Sequence, residues 1–225
     1  MPSTRARPRA APSAMRRAPR KLAPDSKLMV PLDALHPTQI TVGGYHVAQK
    51  IQVTRRVRPE ARAAFLDRHR VHVVIGPEQT LYVVDYHHWV RAWHDLGLTH
   101  VPAIVRADLS DMDAPAFWRH MVANHMVHPY DEQGRRRPLT ELPEAIHDMR
   151  DDPYRSLEAF VQLAGGYRKV KTAYMDFRWA DFFRRHVPGP FDTPHHFAFA
   201  LAHAFRLAHS AQARGLPGYI GALRC

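Results

Sequence analysis

One acidic residue and two histidines, Asp85, His87 and His88, follow directly on an apolar, β-branched run at 81–84. The apolar spacing after them is helical, so they are predicted to lie where a strand passes into a helix. Such a turn suits a phosphate, because it offers unpaired backbone N–H groups and the positive end of the helix dipole. Asp85 could hold Mg²⁺ or accept a proton from a hydroxyl, and either histidine could donate to a phosphate or act as an acid or base.

The same three residues also fit a purely structural role. Aspartate is a common helix N-cap, and histidines next to it are often simply packed or exposed. Residue types and spacing do not separate the two interpretations. Both remain open from the sequence alone.

Basic and polar residues elsewhere are candidates for binding a phosphate near this turn. Arg91 lies four residues after His87 on the same predicted helical face, while Gln39 and Lys50 precede the hairpin that leads into the turn. Each of them could equally be an ordinary surface residue.

Two segments that mix aromatic and basic residues, 154–156 and 167–169, supply Arg155 and Lys169. They could line a groove for a polyanion, although aromatic residues at helical spacing usually belong to a core. The predicted phosphate- or nucleotide-binding residues are therefore Gln39, Lys50, Arg91, Arg155 and Lys169.

Histidine is abundant, with 17 in the chain, and His120, His125 and His128 fall within one stretch. Zinc sites need converging ligands, usually completed by cysteine or a carboxylate, and none of these spacings matches a known zinc motif. The single cysteine, Cys225, excludes a disulfide framework within one chain. The metal favoured by the sequence is therefore Mg²⁺ at Asp85. If the functional site lies elsewhere, His120, His125 and the region 155–169 are the next candidates.

The clearest structural pattern surrounds the candidate turn. Two β-branched runs at 71–75 and 81–84 are joined by a Gly-Pro-containing turn and predict a hairpin. A helix follows from 86 to 96 and ends at Gly97, and a strand at 101–105 completes the unit.

The remaining chain is predicted to be mostly helical after one early strand. That strand lies at 28–30, 36–39 resembles a turn, and two helices are expected between 45 and 70, the second with Pro59 in its first turn. Later helices are predicted at 112–127, 153–164, 174–186 and 194–213.

Composition indicates a folded α/β protein with a basic tail. The chain is 45% hydrophobic, enough for a sizeable core, and carries a net charge of +11. Residues 1–27 account for +7 of that charge and contain little to bury, so they are predicted to be a disordered tail with affinity for nucleic acid. No apolar window approaches the length of a membrane span, so a cytoplasmic protein without a membrane partner is expected.

A series of sequence blocks resembles the ParB-like nuclease family of the ParB/sulfiredoxin superfamily. The central block runs from Val83 to His88, with Arg91-Ala92 and Leu96-Gly97 after it. Further blocks in matching order lie at 36–39, Gly43, 152–157, 165–169, 177–182 and 216–218. Together they cover about residues 28–218, and an ordered series is more specific than any one motif.

The resemblance implies a small ParB/sulfiredoxin-like mixed sheet at 28–110, followed by a helical extension at 111–225 packed on it. Members of this superfamily handle nucleotide phosphates at the strand-to-helix turn. Kinase-like members have an Asp-Gly-His-x-Arg pattern there, in which this chain has Tyr86 in place of glycine and Trp89 in place of arginine. No cysteine occupies the turn, which argues against a sulfinic-acid reductase.

These features predict a protein that handles a nucleotide, ATP, ADP or CTP, or another phosphorylated substrate, with Mg²⁺, as a nuclease or a nucleotide-dependent phosphotransferase. The alternative is a non-enzymatic nucleic-acid-associated module, favoured by the basic tail and the Arg/Lys clusters. Under either hypothesis, residues 36–50 are expected to fold back against the turn at Asp85–His88.

Overall fold

Alternating apolar residues build a mixed sheet around the predicted hairpin. The computed structural model describes residues 21–222, and its main sheet has five strands in the order β1-β6-β4-β5-β2. These are β1 (Lys27–Pro31), β2 (Leu35–Pro37), β4 (Val71–Ile75), β5 (Leu81–Asp85) and β6 (His100–Asp108). β4 and β5 pair antiparallel, as expected of a hairpin, whereas β2 runs parallel to β5 and β6 parallel to β4.

A two-stranded parallel ladder joins early and late parts of the chain. It consists of β3 (Thr41–Val42) and β7 (Arg150–Asp151), which are separated by more than a hundred residues. Gln39 also forms an isolated bridge with His128. Residues after 110 are thus tied by backbone pairing to the segment that follows β2.

Seven α-helices form within residues 21–222. They are α1 (Gly44–Arg55), α2 (Pro59–Arg68), α3 (His87–Asp95), α4 (Ala114–Ala123), α5 (Pro153–Leu163), α6 (Met175–His186) and α7 (Pro194–Ala208). The prediction of two helices before the hairpin, with Pro59 opening the second, is confirmed. Gly97, at φ +76°, ends α3 as predicted, and the Leu98 N–H donates to the Trp93 carbonyl to complete a Schellman motif.

Other predicted boundaries are corrected. α4 is shorter than 112–127, because the Asp113 side chain caps it at the start and His125 leaves the helical region at φ +56°. α7 ends at Ala208, short of residue 213, which lies in a separate 3₁₀ turn. Residues 36 and 37, which were expected in a turn, belong instead to β2, and β2 forms one edge of the sheet.

Helices cover both faces of the sheet. On one face, Val73 and Val83 pack with Trp89 and Trp93 of α3. The alternate strand positions point to the other face, where Val74 packs with residues of α4. A separate helical core joins α5, α6 and α7, which confirms a mixed α/β fold with a mostly helical C-terminal half.

Contacts with the sheet begin before the predicted boundary at residue 28. The Asp25 N–H donates to the Val105 carbonyl, and the Leu22 N–H donates to the Asp108 carboxylate. Residues 21–27 therefore pack along β6, contrary to their assignment to the tail. Most of that predicted tail, residues 1–20, lies outside the described residues. Within residues 21–222, no helix is long and apolar enough to cross a membrane.

Candidate functional site

The turn between β5 and α3 is closed by a left-handed residue rather than by an aspartate cap. Tyr86 has φ +71° and ψ +24° and occupies the N-cap position, where no side chain caps the helix. The Asp85 carboxylate instead accepts a hydrogen bond of 2.7 Å from the Tyr86 N–H. The expectation that Asp85 caps α3 is therefore wrong, because β5 extends to Asp85 and the chain reverses at the next residue.

Left-handed backbone recurs around this turn. His125 and Tyr174 have φ +56° and +55°, and both line the same cleft as Tyr86. Each such conformation costs a residue other than glycine roughly 1 kcal/mol. Strain of this kind persists where the surroundings enforce it, and it concentrates at functional sites.

His87 and His88 attach the segment after β2 to the turn. The His87 Nε2 accepts from the Thr38 N–H at 3.3 Å, and the His88 Nε2 accepts from the Gly43 N–H at 2.9 Å. The prediction that residues 36–50 fold back against Asp85–His88 is confirmed by these bonds. Since each Nε2 already accepts from a backbone amide, the imidazoles act here as positioning groups, and neither Nε2 is available as a base.

Histidines near the cleft are held in the neutral form. Burial lowers the pKa of His87 to about 4, and it lowers the pKa values of His46 and His128 to about 3. Burial also holds the pKa of His88 well below its usual range. Neighbouring cations, including Arg155, act in the same direction on all four. At neutral pH the positive charge of the site therefore comes from lysine and arginine.

Acid is expected to destabilise the fold as the pH falls from about 6.5 to about 4. The unfolded chain protonates these four histidines near pH 6.5, whereas in the folded chain the pKa is about 4 for His87, about 3 for His46 and His128, and well below its usual range for His88. Two carboxyls oppose the effect, because burial raises the pKa of Asp152 to about 6 and of Glu158 to about 8. Between about pH 6 and pH 5 the unfolded state binds roughly two more protons, so the unfolding free energy should fall by roughly 3 kcal/mol over that unit, and by less between pH 7 and pH 6. Urea titrations at pH 7, 6 and 5 measure this slope, and a pH-independent midpoint would contradict it.

A cleft of about 670 Å³ opens at the turn and gathers most of the predicted site residues. Those lining it are Gln39, Lys50, Asp85, His87, His88, Arg155 and Lys169. They come from β5, α1, α3, α5 and two loops, so the cleft lies where the sheet module meets the later helices. His125 also lines it, whereas His120 is not among its lining residues.

Arg155 is buried in the cleft and has donor atoms without hydrogen-bond partners. It is only 5% exposed, and its Nε and Nη1 atoms have no hydrogen-bond partner. Its guanidinium lies 3.8 Å from the centroid of the Phe177 ring, which stacks in turn on His128. The nearest carboxylate oxygen, on Glu158, lies 3.6 Å from Nη1, beyond hydrogen-bond distance. A buried cation with free donors normally has an anionic partner.

Two lysines add positive charge to the cleft. Lys50 lies 4.6 Å from the centroid of the Trp89 ring, and burial together with the charge of Lys169 lowers its pKa. Asp85, with a side chain 66% exposed, lies 3.5 Å from the Nδ1 of His72 on the neighbouring strand β4. Partial burial raises the pKa of Asp85, but hydrogen bonds from His72 and Tyr86 outweigh it and leave the pKa below its ordinary value. Asp85 is therefore ionised at neutral pH.

Arg91 is the one predicted site residue that lies elsewhere. Its Nη1 donates to the Met149 carbonyl at 2.7 Å, and its Nε pairs with Asp95 at 3.1 Å. The helix turns Arg91 away from the cleft and toward the 3₁₀ segment before β7. Its assignment to phosphate binding is corrected to a structural contact.

Several residues of the cleft had no distinguishing signal in the sequence. Phe177 appeared only within a family block, and His128 only as one of three histidines in a single stretch. Glu158, three residues after Arg155, has the spacing of an ordinary surface ion pair on a helix. Its burial depends on α6 and the loop after α5, which no local pattern indicates.

The donor set at the turn limits how a metal could bind. Among residues 21–222, no three His, Cys, Asp or Glu side chains converge as metal ligands. Mg²⁺ is commonly held by one or two carboxylates together with the phosphates of a substrate. Asp85 therefore fits only a site in which Mg²⁺ is held by this carboxylate together with the phosphates of a bound substrate.

Comparison with known proteins gives the family of the chain. The family model described as "Putative ParB-like nuclease" matches residues 28–185. The chain belongs to this ParB-like nuclease family. The match spans the sheet, the turn at Asp85–His88, and the helices α5 and α6 that carry Arg155 and Phe177, so all residues that line the cleft lie within the family region.

Solved structures include a similar protein that matches this chain over most of its length. Protein Atu1540 from Agrobacterium tumefaciens is 38% identical, with a TM-score of 0.82, over 90% of this chain and 100% of that one. The C-terminally truncated chromosome-partitioning protein ParB from Caulobacter crescentus, complexed with CTP-gamma-S, is 13% identical over 83% of this chain and 94% of that one. Its TM-score of 0.30 is too low for a comparison of sites. No curated protein matches the chain.

Proposed function

We propose that this ParB-like family member binds a nucleotide or another phosphorylated ligand in the cleft, with the phosphate at Arg155. The observation that carries the proposal is the buried guanidinium with two partnerless donor atoms. Ion pairs with phosphate satisfy both the charge and the donors of arginine, often through two parallel hydrogen bonds. A bound phosphate would thus supply the hydrogen-bond acceptors and the negative charge that the Arg155 guanidinium lacks.

The surroundings of Arg155 support an anionic ligand. Lys50 and Lys169 line the same cleft, against the carboxylates of Asp85 and Asp176. The first backbone N–H groups of α3 lie at the turn, where the helix dipole favours negative charge. Because the nearby histidines are neutral, the positive potential persists without depending on their titration.

The dimensions of the cleft favour a small ligand or a strand end over duplex nucleic acid. A volume of about 670 Å³ is within the range of small-molecule sites. Arg155 is 95% buried, so a phosphate in the middle of a rigid duplex could not reach it. The aromatic ring of Tyr174, which lines the cleft, offers a surface on which a nucleotide base could stack.

The proposed chemistry assigns turnover to Asp85 and orientation to the histidines. An ionised carboxylate at the mouth of the cleft could accept a proton from an attacking hydroxyl, as in phosphoryl transfer, or from water, as in a nuclease. With a nucleotide bound, the same carboxylate could share Mg²⁺ with its phosphates, which would supply charge neutralisation. His87 and His88 hold residues 38–43 in place as one wall of the cleft.

The proposal is tested by calorimetric titration of the full chain with ATP, ADP, CTP and a short single-stranded DNA, each with and without Mg²⁺. At least one nucleotide should bind and raise the melting temperature. If none of the four ligands binds at tenfold excess over the protein, with or without the metal, phosphate recognition in this cleft is refuted.

Replacement of Asp85 by asparagine should separate turnover from folding. Asparagine can still accept the Tyr86 N–H, so we expect the unfolding free energy to change by less than about 1 kcal/mol. Loss of the carboxylate should lower turnover by about 100-fold or more, the usual scale for a lost general base. Asp33→Asn, in the 3₁₀ turn after β1, is a control with no contact with the cleft. Unchanged turnover of ATP or DNA in the Asp85 variant would exclude Asp85 from the chemistry.

The alternative function, a nucleic-acid-associated module without turnover, is favoured by the eight Lys/Arg residues among the first 27. Deletion of residues 1–20 tests it without removing the segment that packs on β6. If DNA binding and its salt dependence disappear while nucleotide binding persists, nucleic-acid affinity resides in the tail. Salt-dependent DNA binding by the truncated chain, with no nucleotide binding, would favour the alternative.

A further inference from the structure

A second buried ionisable group lies beside Arg155 on α5. Glu158 is 4% exposed, and its Oε2 is 3.6 Å from the Arg155 Nη1. Its Oε1 accepts a hydrogen bond from the Tyr167 hydroxyl. Tyr167 stacks on Trp179 at 4.1 Å, which fixes the phenol from the other side. The carboxyl is therefore held next to the guanidinium but not bonded to it.

Glu158 is protonated at neutral pH. Burial raises its pKa to about 8, and the charge of Asp176 on α6 acts in the same direction. Arg155 on the same helix, and Tyr167 and Lys169 in the following loop, lower the pKa but do not overcome burial. On α1, the His46 pKa is lowered by burial and by the charges of Lys50 and Arg155, so His46 is neutral. The charge of Asp152 also acts on Arg155, but the Asp152 carboxylate is paired with Arg184, so no carboxylate is hydrogen-bonded to the Arg155 Nε or Nη1.

We propose that Glu158 controls the charge available to the ligand at Arg155: protonated, it leaves the guanidinium free for an anion, and ionised, it competes with that anion. Glu158 is a positioning residue in this sense, since it acts through Arg155 and does not contact the ligand. The inference rests on the proposed binding of a phosphate at Arg155.

Two observable consequences follow for binding. Affinity for an anion should fall as the pH rises through 8, because the ionised carboxylate pairs with the guanidinium. An anion bound at Arg155 should also disfavour ionisation of Glu158, so binding near pH 8 should take up protons from the buffer. Deprotonation of Lys50 would also weaken anion binding as the pH rises. A variant at Glu158 is therefore needed to separate the effect of Glu158 from that of Lys50.

The deciding variant is Glu158→Gln, which has the same shape and can still accept the Tyr167 hydroxyl. ADP affinity is measured by calorimetry from pH 7 to pH 9, in buffers of different ionisation enthalpy. For the wild type we expect about a tenfold loss over this range, equal to about 1.4 kcal/mol, with proton uptake near pH 8. Glu158→Gln should lose less than about threefold and take up few protons. Glu60→Gln, at an exposed site on α2, should behave like the wild type.

A second variant guards against a folding defect in the first. Tyr167→Phe keeps the ring on Trp179 but removes the hydrogen bond that lowers the pKa of Glu158, so the loss of affinity should move to higher pH. If Glu158→Gln shows the pH profile and proton uptake of the wild type, the inference about Glu158 is overturned, while the binding proposal stands. The binding proposal itself fails if an Arg155 variant binds ADP normally at every pH.

Discussion

Replacement of Arg155 by methionine should abolish ligand binding while leaving the unliganded protein at least as stable as the wild type. A hydrogen bond to a charged group contributes about 1.5–3 kcal/mol, so the loss of two donors predicts a decrease in affinity of about 100-fold or more. Methionine has a similar length and can keep packing on Phe177. It also removes a buried charge that has no hydrogen-bonded carboxylate, and a charge buried in this way is costly to the fold.

Melting curves with and without ADP measure both effects in one experiment. The wild type should gain stability with ADP, and Arg155→Met should show no gain. Arg91→Met is the matched control, since Arg91 binds Asp95 and the Met149 carbonyl outside the cleft. That control should lose some stability and keep the full response to ADP. A full response in Arg155→Met would locate any binding elsewhere.

His87→Ala is expected to lower the unfolding free energy by about 3 kcal/mol. The side chain is 6% exposed, so its removal leaves a cavity. It also leaves the buried Thr38 N–H without its acceptor, which costs about 1–3 kcal/mol. This differs from the role suggested by the sequence, in which His87 serves the ligand more than the fold.

Urea denaturation of His87→Ala against His94→Ala measures this cost. His94 lies on the same helix with a half-exposed ring, so its replacement should cost less than about 1 kcal/mol. Equal stability of the two variants, together with lost ADP binding in His87→Ala, would show that His87 acts directly on the ligand.

Local patterns predicted the hairpin and α3 because their signals lie within short stretches of chain. The runs of β-branched residues at 71–75 and 81–84 are joined by a short segment that contains Gly76 and Pro77, and such a pair of runs predicts a hairpin. Gly97 ends α3 because the Schellman motif needs a left-handed residue there. Tyr86 shows the limit of such reasoning, since nothing in its residue type indicates a positive φ.

The cleft was predicted in part because the family blocks marked its components. The blocks did not show which of their residues come together in the cleft. Arg91 has the spacing to reach the turn, but its side chain donates to the Met149 carbonyl instead. The roles of His87 and Glu158 depend on partners 49 and 9 residues away, Thr38 and Tyr167. Long-range hydrogen bonds and burial of this kind leave no periodicity in a single sequence.

The position of Arg155 on α5 has a consequence for how the protein matures during translation. The turn at Asp85–His88 leaves the ribosome about 70 residues before Arg155, a delay on the order of 4–14 s at usual elongation rates. Over that interval the nascent chain can form the hairpin and α3, yet it lacks the guanidinium, Lys169 and the ring of Phe177. Nascent or prematurely terminated chains that end before α5 therefore carry the family's central motif without the anion site that we propose at Arg155.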